Sequence, residues 1–209
     1  MRYFLVRHVE TYGNLERRLN GHTESEYTPR GVEMKKMLEE ELKKLHNQYK
    51  FHKIYASPIS RAKKIGETLS KEIGLPLSVE EDLKEFNFGI FEGLNADEAM
   101  EKYPVAWEAW MADYNKVQIP EGECYLDYHA RQKEFLEKHA IENQEQNVVI
   151  IAHGGTVHSL LLQLLDLPLD SKWHFQVALG GIVIINVVEK FGMLEKFYTP
   201  NYEEIQVNS

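Results

Sequence analysis

Val148-Val149-Ile150-Ile151-Ala152 is apolar at every position and is followed at once by His153-Gly154-Gly155. A strand with one wet face alternates apolar and polar residues. A run without alternation has both faces covered, as the central strand of a parallel sheet does. This segment therefore asks for helices on both sides of a sheet, and the rest of the chain can supply them. Tyr3–Val6 and Ile54–Ala56 read as further short strands. Thr28 can cap, and Pro29 can start, a long helix with an apolar stripe at Val32, Met37, Leu38, Leu42 and Leu45. A second helix carries Arg61, Ile65 and Leu69 until Gly74 and Pro76 stop it. The turn at Pro120–Glu123 leads into a helix reaching about Glu142, and another runs from Gly154-Gly155 to about Leu165. Gly181–Val188 and Met193–Tyr198 read as a closing hairpin.

Strands alternating with helices predict an α/β fold, a three-layer α/β/α sandwich around a largely parallel sheet. The 209 residues fit one domain spanning 1–209. The stretch from about Glu80 to Glu123 is irregular, with short helical pieces at Trp107 and Trp110. Residues 86–123 are expected to form a lid-like helical insertion.

A formal charge of −9 argues against nucleic acid or an anionic membrane as a partner. Five of the seven arginines nevertheless lie in the first thirty residues: Arg2, Arg7, Arg17, Arg18 and Arg30. Guanidinium reads phosphate by paired hydrogen bonds, so this clustering suggests a local cationic cleft on an acidic protein; a chance surface cluster is the plain alternative. Cys124 is the single cysteine, which leaves no intramolecular disulfide and no multi-cysteine metal cage. The N-terminus does not read as a signal peptide, and no apolar run approaches a membrane span of ~18 residues. A cytoplasmic address is expected.

In parallel sheets ligands gather at the carboxyl ends of strands. Three predicted strands end on chemistry-bearing residues: Arg7-His8, Ser57-Pro58-Ile59-Ser60-Arg61, and His153-Gly154. Each has an ordinary reading alone: a histidine bonded to backbone, an exposed helix arginine, a glycine-rich turn. Together they bring two histidines and two arginines to one rim. A neutral imidazole is a nucleophile without metal help, phosphoryl transfer chiefly needs positioning and positive charge, and N–H groups at a glycine turn suit an anion.

Arg7-His8-x-Glu10-Thr11, Asn14, Gly21, Ser57-Pro58-x-x-Arg61-Ala62, Glu85 and His153-Gly154, in this order, resemble the histidine phosphatase (phosphoglycerate-mutase-like) superfamily from Arg2 to about Tyr198. The resemblance implies metal-independent hydrolysis of a phosphate monoester without a cofactor. His8 would be the phosphorylated nucleophile, with Arg7, Arg61 and His153 as a cationic pocket. Asn14 would hydrogen-bond the phosphoryl oxygens, with Asn20, Gly21 and Gly154 as further binding positions. Glu85, in Leu83-Lys84-Glu85, would be the acid/base, its aromatic neighbours Phe86, Phe88 and Phe91 favouring the protonated form; Glu10 and Glu92 are rival carboxylates. Two departures from the family pattern are Val9, which threatens to crowd His8, and Tyr27 ahead of Thr28-Pro29.

Within the superfamily, the segment from Asn95 to Glu123 carries only Lys102 and Lys116 against many carboxylates, which disfavours a bisphosphate substrate. The Phe-Gly-x-Phe-Glu-Gly stretch and the tryptophans resemble α-ribazole-phosphate phosphatases and broad-specificity bacterial phosphatases. The alternatives are a bisphosphate-dependent phosphoglycerate mutase and a non-catalytic phospho-ligand binding module. Outside the motifs, His158 is expected in core or surface, and His22 near the cleft. Trp107, Trp110 and Tyr114 are expected to be packing residues, and Cys124 no nucleophile. The oligomeric state is left open.

Overall fold

The computed structural model describes residues 1–140, 146–203 and 205. In chain order the elements are β1 (Arg2–Arg7), α1 (Tyr12–Leu15), α2 (Pro29–Tyr49), β2 (Lys53–Ala56), α3 (Ser60–Ile73), β3 (Leu77–Val79), α4 (Ala96–Lys102), α5 (Pro104–Ala112), α6 (Tyr125–Ala140), β4 (Asn147–Ala152), α7 (Gly154–Leu164), β5 (Ile182–Val188) and β6 (Phe191–Tyr198). Short 3-10 turns lie at Glu81–Leu83, Gly89–Phe91 and Leu169–His174. The expected end of α6 near Glu142 falls outside the described residues.

The strands form one sheet in the order β3-β2-β4-β1-β5-β6. β4 runs parallel to both its neighbours, β1 and β2, while β5 and β6 close the far edge antiparallel. The uniformly apolar strand thus takes the interior place its composition demands. Period-two alternation divides its side chains between two cores. Phe4, Val6, Val149, Ile151, Ile182 and Ile184 pack against Met34, Leu38 and Leu42 of α2 and Ile65 and Leu69 of α3. Tyr3, Leu5, Val148, Ile150, Val183 and Ile185 pack against Phe135 of α6 and Val157, Leu160 and Leu161 of α7. The expected α/β/α sandwich is therefore present. Each of these fully buried side chains contributes about 1.5–3 kcal/mol of transfer free energy.

Several expectations need correction. On α2 the buried stripe is Met34, Leu38, Leu42 and Leu45, while Val32 faces solvent. Thr28 caps this helix as expected, its Oγ1 accepting from the Gly31 N–H at 2.9 Å. Strand β3 has no counterpart in the sequence reading, because three edge residues with two exposed side chains carry almost no pattern. The turn joining β5 to β6 holds Glu189 and Lys190 at φ 49° and 73°, the left-handed pair that matches the twist of a tight hairpin.

The segment between the 3-10 turn Glu81–Leu83 and α6 builds its own apolar cluster. Phe86, Phe91, Ala99, Ile119 and Tyr128 form its buried part, with Trp107, Trp110 and Tyr125 packed around them. The tryptophans are packing residues, their rings 5.4 Å apart and each against Phe91. Among the described residues no helix is long and apolar enough to cross a membrane.

Candidate active site

Sheet register brings the three chemistry-bearing strand ends together. Arg7 lies opposite Ala152 and Ala56 opposite Ile151, so His8, Ser57 and His153 leave the sheet within one residue of level. The His8 and His153 rings meet edge-on, 5.3 Å between centroids.

His8 is buried, and its Nδ1 lies 2.7 Å from the carbonyl oxygen of Val9. A carbonyl only accepts, so Nδ1 carries the proton and Nε2 the lone pair. Arg61 Nε donates to that lone pair at 3.2 Å. Burial, reinforced by Arg61 and then Arg7, holds the His8 pKa well below the usual imidazole range. The ring is neutral and its nucleophilic nitrogen is oriented. Val9 does not crowd it, since the valine side chain is fully buried in the core against the α2–α3 layer.

Arg61 enters from the first turn of α3 and is itself buried. Its Nη1 donates to Thr23 O at 2.9 Å, and its Nη2 to Asn20 O at 2.9 Å and Gly21 O at 2.7 Å. Carbonyls orient the guanidinium without neutralising it. Tyr27, the departure noted above, donates its hydroxyl to Arg61 O at 2.7 Å and so braces the same turn. Asn20 and Gly21 therefore bring backbone carbonyls to the site, and the Asn20 side chain packs onto Gly13. A Cβ on Gly21 would lie 1.8 Å from Phe86 O, which explains the glycine by close approach of two backbones.

Arg7 Nη1 donates to Val177 O at 2.6 Å, and its guanidinium packs on the Gly154 backbone, where a Cβ would come within 3.2 Å. Its Nε is buried without a partner among the described residues, and so is His153 Nδ1. His153 Nε2 meets Ser57 Oγ at 2.7 Å. Burial, then Arg61 and His8, hold His153 well below the usual imidazole range, so it enters the site neutral rather than as the expected cation. Burial also lowers the pKa values of Arg7 and Arg61 from their ordinary value.

Glu85 faces this group, and its charge is felt at both guanidiniums. Its carboxylate oxygens accept three hydrogen bonds. Oε1 accepts from the Tyr128 hydroxyl at 2.7 Å and the Phe86 N–H at 2.9 Å; Oε2 accepts from the Gly155 N–H at 2.9 Å. The N-terminus of α7 thus holds a side-chain carboxylate of the protein. Thr156 links to Tyr128 at 2.9 Å, and Arg131 holds the segment by donating to Asp82 O and Lys84 O.

The rival carboxylates are structural. Glu10 accepts from Thr28 Oγ1 and pairs with Arg30 at the start of α2. Glu92 accepts from the N–H groups of Gly21, His22, Thr23 and Phe88, cinching the loop that holds Arg61. Asn14 turns its Oδ1 back to Thr11 as a cap of α1, which leaves Nδ2 as the end able to donate to a ligand. Nor do the N-terminal arginines all serve one cleft: Arg2, Arg18 and Arg30 spend their charge in ion pairs, while Arg7 lies against Gly154 at the site. His22 Nε2 donates to Glu85 O, and His158 Nε2 to Phe175 O. Cys124 Sγ points at Asn115 O. Tyr128, which donates to Glu85, has no local sequence signal. Among the described residues no group of three or more potential metal ligands forms.

Comparison with known proteins places the whole chain among phosphatases in sequence and fold. The adenosylcobalamin/α-ribazole phosphatase of Escherichia coli is 26% identical over 194 residues, 93% of this chain and 94% of that one. A metal-independent phosphoserine phosphatase of Arabidopsis thaliana is 32% identical over 162 residues, 77% of this chain and 67% of that one. The crystal structure of the α-ribazole phosphatase from Shigella flexneri superposes with a TM-score of 0.85 at 29% identity, covering 94% of this chain and 96% of that one. The profile of the Histidine phosphatase superfamily (branch 1) matches residues 3–199, and the chain belongs to that superfamily.

Proposed function

We propose that the protein hydrolyses phosphate monoesters without a metal, through a phosphohistidine intermediate on His8. The observation that carries this reading is the neutral His8 ring, with Nε2 unprotonated and the guanidiniums of Arg61 and Arg7 close enough to act on it. His8 Nε2 forms a bond to phosphorus as the ester P–O bond breaks. Arg61 Nε, which held the lone pair, turns to a phosphoryl oxygen, joined by the partnerless Nε of Arg7 and, with Ser57 donating its hydroxyl to Nε2, by the Nδ1–H of His153. Asn14 Nδ2 adds a neutral donor. Glu85, in its acid form, gives a proton to the departing alkoxide; as carboxylate it then takes one from the water that attacks phosphohistidine, returning neutral His8 and inorganic phosphate. Two guanidiniums supply the transition-state charge stabilisation that a metal gives elsewhere.

Substrates in this reading are small monoesters, with α-ribazole 5'-phosphate and phosphoserine both suggested by relatives' names. The net charge supports the accompanying expectation of no nucleic-acid or anionic-membrane partner.

The test is rapid quenching with labelled substrate. An acid-labile, base-stable phosphoprotein is expected from the parent and none from His8→Ala, with turnover nearly unchanged after dialysis against chelator. Labelling elsewhere, full activity in His8→Ala, or loss restored by one divalent ion would overturn the mechanism.

A further inference from the structure

Lys172 lies in the 3-10 turn Leu169–His174 and is buried despite its charge. Its Nζ stands 3.5 Å from the ring centroid of Tyr125, 4.0 Å from Tyr114 and 5.2 Å from Trp173. Among the described residues its hydrogen bonding is limited to a 3.4 Å contact with Asn115 Oδ1. An ammonium carries three donors, and aromatic faces attract its charge without accepting them all. Burial accordingly draws its pKa down to about 8, although Asp170 opposes the shift.

This cage adjoins the catalytic group. Tyr125 packs 5.5 Å from Tyr128, whose hydroxyl donates to Glu85. From Lys172 the chain runs along the site wall: Phe175 O accepts from His158 and Val177 O from Arg7. If Glu85 protonates the departing oxygen, the alcohol portion of the substrate extends past Glu85 toward Tyr125 and Lys172. Lys172 comes to this face from a stretch of chain outside residues 95–123.

We propose that Lys172 is a specificity-determining residue that recognises a carboxylate on the alcohol portion, making phosphate esters of small hydroxy acids the preferred substrates. The single positive charge of one ammonium matches a carboxylate and falls short of a second phosphate. The inference rests on the phosphatase reading above.

3-Phosphoglycerate and glycerol 3-phosphate differ only in a carboxylate replaced by hydroxymethyl, so their kcat/KM ratio isolates it. The parent should favour the glycerate. Lys172→Met, which keeps an apolar stem in the cage, should lower the ratio by about tenfold or more, chiefly through KM, as loss of a charge-assisted hydrogen bond does. Lys172→Arg should recover part of it. Both esters are read on the same folded fraction, so partial unfolding cancels, and Lys172→Gln serves if the methionine variant does not fold. A ratio that is equal in parent and variant, or a parent preference for glycerol 3-phosphate, would overturn the inference alone. No turnover of either ester or of nitrophenyl phosphate would instead defeat the phosphatase reading.

Discussion

Arg61 Nε and His8 Nε2 share one hydrogen bond, 3.2 Å long, at the atom that must attack phosphorus. The bond orients the nucleophile and places a donor where a phosphoryl oxygen arrives once the N–P bond forms. Arg61→Ala should therefore lower the rate by on the order of 10²-fold or more. Arg61→Lys should recover only part, since a point charge cannot both reach His8 and fill the fork held by Asn20, Gly21 and Thr23. Steady-state kinetics on one monoester decide this; parent-like rates in both variants would reject the role.

Glu85→Gln separates acid chemistry from packing. A nitrophenolate departs readily as an anion, whereas an alkoxide needs a proton. Single-turnover phosphorylation should fall by roughly 10²–10⁴ with alkyl phosphates and clearly less with nitrophenyl phosphate. Tyr128→Phe, which removes one donor to Glu85 Oε1, should show the same dependence on leaving group at smaller size. Equal losses for both leaving groups would exclude Glu85 as the acid.

Gly21→Ala tests the loop that carries Arg61. The new methyl would lie 1.8 Å from Phe86 O, so one backbone must move. Overpacking of this kind costs ~1–3 kcal/mol. A lowered melting temperature together with activity down by about tenfold is expected from thermal melts and kinetics; a parent-like variant would show that the two loops are not rigidly apposed.

His8 and His153 are both held well below the usual imidazole value of 6.5. The unfolded chain therefore binds protons there before the native state does. The stability this confers is complete above the unfolded value and is lost as pH falls through and below it. Each histidine contributes a slope of up to about 1.4 kcal/mol per pH unit in that window. Urea unfolding between pH 7.5 and 5 should show a shallower decline in His8→Asn than in the parent. An identical slope would mean that His8 is protonated in the native state.

The sequence by itself determined the layered architecture, because β4 has no polar face and the helices carry their own caps and stops. It also determined which residues sit at strand ends, since an apolar run breaks where Arg7-His8 and His153-Gly154 begin. Local patterns have no reach beyond this. That Glu92 would cinch the Arg61 loop while Glu85 met a helix N-terminus depended on backbone approach between segments some seventy residues apart. The early arginines looked alike, yet only the register of β1 separated Arg7 from neighbours committed to surface ion pairs. Tertiary structure alone set the proton on His8 Nδ1, left His153 neutral, and brought the Tyr128 hydroxyl to Glu85, because hydrogen-bond partners and burial arise only when distant chain segments pack.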